Sequence, residues 1–464
     1  MIQSLTARFL EPVWIYGIFG SLGGLALVFI TPPFQVADEP NHFFRAYQVS
    51  QGELVGQVAP GEQYAGGLIP DSLSQTVSHL ARDVPFHSEQ KYSVSWLEGA
   101  FAMDLDPERD TFLGFSNTVL YSPVSYAPQA AAIALGRAFD PPPIVLFYMG
   151  RIAALTFAVL LGCWTLHIIP FFRWPLLLLL LMPMTLFQSA SVSADVVTNA
   201  LSIAFFGSIL REVADSSGPV SSARKIEWVA LFVLVTLAKS VYVLLGLLIF
   251  LISADSFGSR RRQLVFLAIF FAVGMVAFAG WSHLANSVYV PYHPNRHTDI
   301  HEQLRLVAAN PIGFLKIVAH AFMYQQEAYR HMFVGVLGWL DTHLPNSLLD
   351  AYALLLLLAA AFDGHPDVRL GLVRRAWVCA IAVAGLLGVS LSLYCLWCAV
   401  GSPVLDSIQG RYFIPLAPVM LLGLYNMVLA GGVKPWHKAA IVVPSLVLTW
   451  AITIHRLLGR YYLP

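Results

Sequence analysis

Residues 14–45 read WIYGIFGSLGGLALVFITPPFQVADEPNHFFR, and this stretch decides how the rest of the chain is arranged. Its first part, residues 14–30, is uncharged and almost wholly apolar. A helix of that length rises about 25 Å, which approaches the roughly 30 Å of a bilayer core. Pro32 and Pro33 follow and end the helix, because proline has no backbone N–H. We therefore predict a membrane span that delivers the next residues to the membrane surface.

The composition of the whole chain agrees with this first span. Of its 464 residues, 57% are hydrophobic and only 12% are charged, and the mean hydropathy is +0.67. A soluble domain carries about 25% charged residues. The formal net charge is zero, so no nucleic-acid partner is indicated. We predict an all-α, polytopic integral membrane protein that forms a single membrane domain over residues 1–464.

The apolar runs predict about eleven membrane segments. They lie at 14–30, 144–169 and 174–188, from the polar patch 189–195 to about 211, in a hairpin of two short half-helices within 227–253, at 264–285, 348–362 and 377–397, from Gly410 onward, and at 439–454. Two long stretches lie between segments. Residues 31–142 are expected to form an extracytoplasmic loop subdomain, partly helical, and residues 289–345 to form extracytoplasmic interfacial helices.

The basic residues support this topology, because arginine and lysine favour the cytoplasmic side of short loops. The predicted inner segments hold Arg8, Arg173, Arg211, Arg224, Lys225, residues 260–262, Arg369, Arg374, Arg375, Lys434 and Lys438. The apolar run 227–253 has basic residues on both sides, so a single crossing would place one group outside. We therefore predict that this run turns back on itself, with Lys239 and Ser240 near the tip.

The polar residues after the first span are candidates for function. Asp38, Glu39, His42 and Arg45 are held just outside the membrane by the preceding prolines. Ionisable groups near lipid are costly, and they often mark functional sites. A polar loop with a proline-stiffened turn is the alternative interpretation, and it leaves Arg45 as a surface charge.

Further candidates lie along the chain. Tyr121 belongs to the aromatic stretch NTVLYSPVSYAPQ, residues 117–129, which suits either the headgroup level or a groove for a sugar or lipid. Arg151 lies within the second segment, where it either serves a site or extends to the headgroups. Asp195 either binds substrate or caps the fourth segment.

Two cations and a tyrosine complete the candidate set. Lys239 lies too deep in its apolar run to reach the headgroups easily, which favours a paired or functional role. Arg411 and Tyr412 open the tenth segment. Arg411 either binds an anion or extends to the headgroups, and Tyr412 either contacts a lipid carrier or packs.

Four motifs resemble an uncharacterised family of bacterial multi-spanning membrane proteins. They are FQVADEPNHFFRAYQ, SADVVTNAL, GWLDTHLP and QGRYFIPLAP, and they are spread between residues 34 and 418. That family is grouped with the glycosyltransferases of the GT-C type, which take sugars from lipid-phosphate carriers and have a carboxylate in the first outer loop. The resemblance implies a GT-C-like fold in a bacterial inner membrane, with the active site on the extracytoplasmic face.

The resemblance also implies roles for the candidate residues. Asp38 matches the catalytic carboxylate, with Glu39 second. A carboxylate that accepts the proton of an acceptor hydroxyl accelerates transfer roughly 10²–10⁴-fold. The donor would be a polyprenyl-phosphate-linked sugar, the acceptor a glycan, lipid or protein, and the expected outcome inversion. Arg45, Arg151, Lys239 and Arg411 are candidates to bind the phosphate. A divalent cation such as Mg²⁺ or Mn²⁺ is left open.

Two other functions remain open from the sequence. A transporter or flippase of lipid-linked sugars would also need membrane cations and an interrupted helix, although no long internal repeat is visible. A structural or assembly protein without chemistry would tolerate aliphatic residues at positions 38 and 239.

Overall fold

The fold is described from a computed structural model, which describes residues 11–59, 61, 63–215, 218–291, 297–365, 368–426, 429 and 433–463. Arg8 and residues 292–296 of the predicted interfacial stretch lie outside these ranges. In chain order, the elements before the hairpin are α1 (Pro12–Ile30), α2 (Glu39–Ser50), β1 (Gln57–Val58), β2 (Ala65–Pro70), α3 (Asp71–Ala81), α4 (Ser95–Phe101), β3 (Asp110–Gly114), α5 (Ala127–Arg137), α6 (Pro143–Ile168), α7 (Arg173–Leu180), α8 (Pro183–Ser189) and α9 (Asp195–Ala214).

The second half is again mainly helical. Its elements are α10 (Ser222–Ala238), a 3₁₀ helix Ser240–Leu251, α11 (Arg260–Asn286), α12 (Ile300–Ala309), α13 (Pro311–Val334), β4 (Val336–Leu337), β5 (Thr342–His343), α14 (Asn346–Phe362), α15 (Leu372–Trp397), a 3₁₀ turn Gly410–Phe413, α16 (Ala417–Leu422) and α17 (Pro435–Tyr461).

The prediction of a polytopic helical membrane protein is confirmed. Among the described residues, six helices are long and apolar enough to cross a membrane, namely α1, α6, α9, α11, α15 and α17. A seventh span results if α12 and α13 count as one, although they meet at 104°. The number eleven stays a prediction, because the other segments are shorter or interrupted.

Prolines explain the interrupted segments. The predicted segment 174–188 is divided into α7 and α8, and Pro183 begins the second piece. The predicted tenth segment starts as a 3₁₀ turn that ends before Pro415, and α16 then runs for only six residues. Since proline removes a donor and clashes with the preceding turn, each break follows from local sequence.

The apolar run around Lys239 turns back on itself. α10 has 17 residues and the following 3₁₀ helix has 12, so the two limbs are about 26 Å and about 24 Å long. The backbone N–H of Val220 donates to the carbonyl of Ser256 at 2.7 Å, which joins the two ends of the hairpin. Lys239 therefore lies at the tip, as predicted, but the limbs are longer than half-helices.

The stretch 31–142 contains a small sheet that the sequence reading did not predict. β1, β2 and β3 form an antiparallel sheet in that order, and Gly66 of β2 pairs with Gly114 of β3. The strands are short, and β2 and β3 contain glycine, so they carry little strand signal.

The C-terminal helix is tied to residues 31–142, which we call the outer subdomain because the sequence predicts that they are extracytoplasmic. The N–H of Tyr92 donates to the carbonyl of Tyr461 at 2.7 Å, and Arg460 pairs with Asp341 at 2.7 Å. The indole N–H of Trp339 donates to the carbonyl of Phe34 at 3.0 Å. The end of α17 and the GWLDTHLP turn therefore lie on the same side as the loop after the first span.

The opposite ends of the helices should lie on opposite sides of the membrane. Phe86 of the outer subdomain and Leu372 at the start of α15 are 75% and 84% exposed. In a chain whose native cysteines are replaced, we expect Phe86→Cys to react with a membrane-impermeant maleimide in intact cells. Leu372→Cys should react only after permeabilisation, because about 39 Å of helix separates it from Trp397. Equal labelling of both variants in intact cells would contradict this topology.

Candidate functional site

Asp38 is presented to a cavity by a strained backbone. Its φ and ψ are 63° and 4°, a left-handed conformation that costs a non-glycine residue about 1–2 kcal/mol. The residue precedes α2, but its side chain forms no capping hydrogen bond. Instead its Oδ1 accepts a hydrogen bond from Nδ2 of Asn117 at 3.0 Å. The side chain remains 38% exposed, so it is available to a ligand.

Glu39 faces the opposite way. Its carboxylate pairs with Arg151 at 2.6 Å, and both side chains are fully buried. It also accepts the backbone N–H of Val192 at 3.1 Å. Arg151 in turn donates to the carbonyl oxygens of Val28, Thr31 and Pro32. The candidate roles of Glu39 in catalysis and of Arg151 in phosphate binding or headgroup contact are therefore not supported by this geometry.

Arg45 is likewise structural. It is fully buried, which rules out the surface-charge interpretation. Its guanidinium donates to Gln48 and to the carbonyl oxygens of Leu54 and Tyr121. Arg45 does not line the cavity that contains Asp38, so its contribution is to hold the loop that carries Tyr121.

Asp195 joins the hairpin tip to this region. Nζ of Lys239 donates to Oδ1 of Asp195 at 3.2 Å, and Nε2 of Gln188 donates to Oδ2 at 2.9 Å. The hydroxyl of Ser193 accepts the N–H of Asp195, while the N-cap position of α9 is Ala194 and no side chain caps the helix. The capping interpretation of Asp195 is therefore wrong, and its carboxylate is committed to the site.

Arg411 contacts both carboxylates without a close hydrogen bond to either. Its Nη2 lies 3.8 Å from Oδ2 of Asp38, and its Nε lies 3.9 Å from Oδ2 of Asp195. The Nε atom is buried with no hydrogen-bond partner among the described residues. A buried charged donor without a partner costs free energy. An anionic oxygen beside the Nε atom would provide that partner.

The 3₁₀ turn that carries Arg411 is fixed by its neighbours. Gly410 packs so closely that a Cβ there would lie 1.9 Å from the carbonyl oxygen of Tyr329. The hydroxyl of Tyr242 donates to the carbonyl of Tyr412 at 2.7 Å. The Tyr412 ring lies 4.5 Å from Nζ of Lys239, so the turn and the hairpin tip support one another.

Two adjoining cavities meet at these residues. The acid cavity has a volume of about 330 Å³ and is lined by polar side chains that include Asp38, His42, Asn117, Asp195 and Arg411. The apolar groove has a volume of about 220 Å³ and is lined by Lys239 and mainly apolar side chains that include Trp281, Tyr289 and Leu396. Tyr121, Leu393, Trp397 and Tyr412 line both. A ligand with a polar head and an apolar tail would fit this arrangement.

His42 is held neutral at the floor of the acid cavity. Its Nδ1 shares a hydrogen bond of 2.7 Å with the Tyr126 hydroxyl. Burial lowers the pKa of His42 to about 4, although Asp38 and Asp195 oppose this shift. Arg411 and Lys239 reinforce it. At neutral pH the ring therefore serves as a hydrogen-bonding group and not as a cation.

The two candidate carboxylates of the acid cavity lie beside a cationic side chain. Among the described residues, no group of three or more histidine, cysteine, aspartate or glutamate side chains is placed to hold a metal ion. The carboxylates of Asp38 and Asp195 both contact the Arg411 cation instead. A need for Mg²⁺ or Mn²⁺ stays a hypothesis from the sequence.

The structure thus brings together most of the predicted residues. Asp38, His42, Tyr121, Asp195, Lys239, Arg411 and Tyr412 line the acid cavity or the apolar groove, whereas Glu39, Arg45 and Arg151 line neither. Sequence reasoning missed Asn117, which orients Asp38, and Gln188, which orients Asp195. Asn117 belongs to the aromatic stretch 117–129, which the sequence analysis named as a candidate groove, but the residue itself was not predicted.

Comparison with known proteins identifies the family. Residues 22–420 match the family described as Predicted membrane protein (DUF2142). The match covers most of the chain, so this protein belongs to that family. No curated protein matches the chain, and no solved structure matches it.

Loss of one partner of the Glu39–Arg151 pair should destabilise the fold. We expect Glu39→Gln to lower the free energy of unfolding by about 3–5 kcal/mol, because the Arg151 charge would remain buried without its counter-ion. Unfolding of the purified protein, followed by tryptophan fluorescence, measures the change. Glu89→Gln, in an exposed glutamate of the outer subdomain, is the control and should behave as wild type. Equal stability of Glu39→Gln and wild type would show that the ion pair does not stabilise the fold.

Acid should destabilise the protein partly through His42. The His42 ring has a pKa of about 6.5 in the unfolded chain, whereas burial lowers its pKa to about 4 in the folded protein. Protons therefore bind the unfolded chain first, and stability falls as pH decreases from ~6.5 to ~4, by up to about 3 kcal/mol. His42→Gln removes this titration, so the stability of the variant relative to wild type should increase as the pH is lowered from ~6.5 to ~4. A constant difference between the two proteins would refute the assignment.

Proposed function

We propose that this family member transfers a sugar from a polyprenyl-phosphate carrier to a hydroxyl of an extracytoplasmic glycan, lipid or protein. The observation that carries the proposal is the shared cavity of Asp38 and Arg411, whose charged atoms are 3.8 Å apart. This cavity adjoins an apolar groove with Lys239 at its edge. A base, a phosphate-binding cation and a place for a lipid chain are thus adjacent.

The apolar groove suits the carrier. Trp281, Tyr289 and Leu396 provide aromatic and aliphatic surface, and burial of a prenyl chain gains roughly 25 cal/mol per Å² of apolar area. The outer loop borders the groove, since the indole N–H of Trp281 donates to the carbonyl of Leu120 at 2.9 Å. The lipid would therefore lie against the hairpin with its head toward the outer subdomain.

Lys239 and Arg411 would bind the carrier phosphate. Both contact Asp195, at 3.2 Å and 3.9 Å, so the two cations lie beside one carboxylate. The Nε atom of Arg411 is buried without a hydrogen-bond partner among the described residues, which favours an anionic oxygen beside it. Arginine suits a bidentate phosphate contact, and lysine a point charge. As the leaving phosphate gains negative charge, these fixed cations stabilise it.

Asp38 would act as the general base. The acceptor oxygen bonds to the anomeric carbon while the bond from that carbon to the phosphate oxygen breaks, and the bonding electrons leave with the phosphate. The hydroxyl proton passes to the Asp38 carboxylate, and the products are the glycosylated acceptor and the polyprenyl phosphate. A single displacement inverts the anomeric carbon. Glu39 cannot serve as a second carboxylate in this cavity, because it is buried against Arg151.

The proposal agrees with the resemblance to GT-C enzymes stated from the motifs. In those enzymes a carboxylate of the first outer loop serves the acceptor, and Asp38 occupies the loop after α1. The DEP motif thus supplies two functions, with Asp38 for chemistry and Glu39 for folding. The likeness to GT-C enzymes in fold and mechanism belongs to this proposal.

Replacement of Asp38 tests the chemistry. In proteoliposomes supplied with a labelled polyprenyl-phosphate sugar and an envelope extract as acceptor, we expect Asp38→Asn to lower transfer by about 10²–10⁴-fold, because the base is lost. Donor binding and thermal stability should be retained. Asp83→Asn, in an exposed aspartate of the outer subdomain, is the matched control and should transfer at the wild-type rate.

The same vesicles separate transfer from lipid movement. A flippase of lipid-linked sugars would also use the buried cations, but it would move labelled lipid between leaflets without forming a glycosylated product. Movement without transfer, unaffected by Asp38→Asn, would replace the glycosyltransferase proposal with this alternative.

A further inference from the structure

A second groove lies on the outer subdomain, beside the strand β3. Its volume is about 310 Å³, and its lining includes Asn41, Gln63, Tyr64, Gly114 and Ser116. It is distinct from the acid cavity, since none of these residues lines that cavity. We call it the sheet groove.

The described lining of the sheet groove offers polar groups and aromatic surface. Asn41 and Gln63 offer amides and Ser116 a hydroxyl, while Tyr64 and Phe115 offer aromatic surface. No acidic or basic side chain is among its described lining residues. Amides exchange hydrogen bonds with hydroxyl groups as both donors and acceptors. Such a lining suits the hydroxyl groups of a carbohydrate.

Tyr64 provides a flat surface in this groove. Its ring is stacked on that of Phe112, with 5.9 Å between the ring centroids and 28° between the planes, and the residue is 40% exposed. The ring lies over Gly114, where a Cβ would approach it to 2.3 Å. The bare glycine therefore lets the ring lie against the strand. A pyranose ring has one face of C–H groups, and this face packs on an exposed aromatic ring by burying apolar surface.

The sheet groove is connected to the proposed base by two hydrogen bonds. Nδ2 of Asn41 donates to Oδ1 of Asn117 at 2.8 Å, and Nδ2 of Asn117 donates to Oδ1 of Asp38 at 3.0 Å. Asn41 lies in the first turn of α2, directly after the DEP motif. Asn41 and Asn117 thus link the lining of the sheet groove to the carboxylate of Asp38.

We propose that the sheet groove binds the acceptor as a neutral carbohydrate, with a sugar ring stacked on Tyr64 and its hydroxyls bonded to Asn41, Gln63 and Ser116. This inference rests on the proposed function only where it identifies the bound carbohydrate as the acceptor. It narrows the acceptor from a glycan, lipid or protein to a glycan. The donor lipid would approach Asp38 from the apolar groove and the acceptor glycan from the sheet groove. Carbohydrate binding at Tyr64 is independent of whether transfer occurs.

Saturation-transfer difference NMR tests the site directly. The full-length protein in lipid nanodiscs is mixed with a panel of methyl hexosides and neutral disaccharides of glucose, galactose, mannose and N-acetylglucosamine. We expect ring C–H signals from at least one sugar in wild type and in Tyr64→Phe, which keeps the ring. Tyr64→Ala should weaken binding about fivefold or more, because the stacking surface is lost. Tyr324→Ala, at an exposed tyrosine that does not line the groove, is the matched control and should bind the sugar as wild type does.

The outcomes separate this inference from the proposed function. No saturation transfer to any sugar, or equal binding by Tyr64→Ala and wild type, overturns the inference. Sugar binding that depends on Tyr64 without any transfer from polyprenyl-phosphate donors supports the sheet groove and overturns the glycosyltransferase. Transfer to a glycan that is unchanged in Tyr64→Ala does the reverse.

Discussion

The buried ion pair between Glu39 and Arg151 is the interaction on which the rest of the arrangement depends. Both side chains are wholly shielded from solvent, so each charge requires the other. The pair and its additional hydrogen bonds join the end of α1, the start of α2, the α6 span and the backbone before α9. The carboxylate beside it, Asp38, is turned outward as a result. One residue of the DEP motif is thus used to place the other.

A second set of charges is built around Asp195. This carboxylate contacts Lys239 and Arg411, while Asp38 contacts Arg411 from the other side. Two cations and two carboxylates balance, which lowers the cost of placing charge beside lipid. The distances from Arg411 to the two carboxylates exceed those of hydrogen bonds. The carboxylates therefore attract its charge, while its Nε atom is left without a hydrogen-bond partner among the described residues. Such incomplete pairing is better suited to binding an anion than to stabilising a fold.

The outer loop and the hairpin form the walls between which these charges lie. The hydroxyl of Ser125 donates to the carbonyl of Ala238 at 2.6 Å, which holds the hairpin tip against the loop. Arg45 holds the same loop from the opposite side through the carbonyl of Tyr121. Because irregular backbone at this depth needs partners for its polar groups, the loop and the tip satisfy one another. The acid cavity and the apolar groove are the space left between them.

The sequence by itself determined the membrane class, most helix positions, the turn at Lys239 and the position of Asp38 just after the first span, because these depend on composition, on prolines and on the cost of charge in lipid. Only the tertiary structure decided which carboxylate of the DEP motif lines a cavity. The partner of Glu39 lies 112 residues away in the chain, and the partner of Asp38 lies 79 away. Arg45 and Arg151 looked like phosphate ligands because local sequence does not reveal whether a charged group meets solvent, a ligand or a buried counter-ion. That distinction arises when distant segments pack.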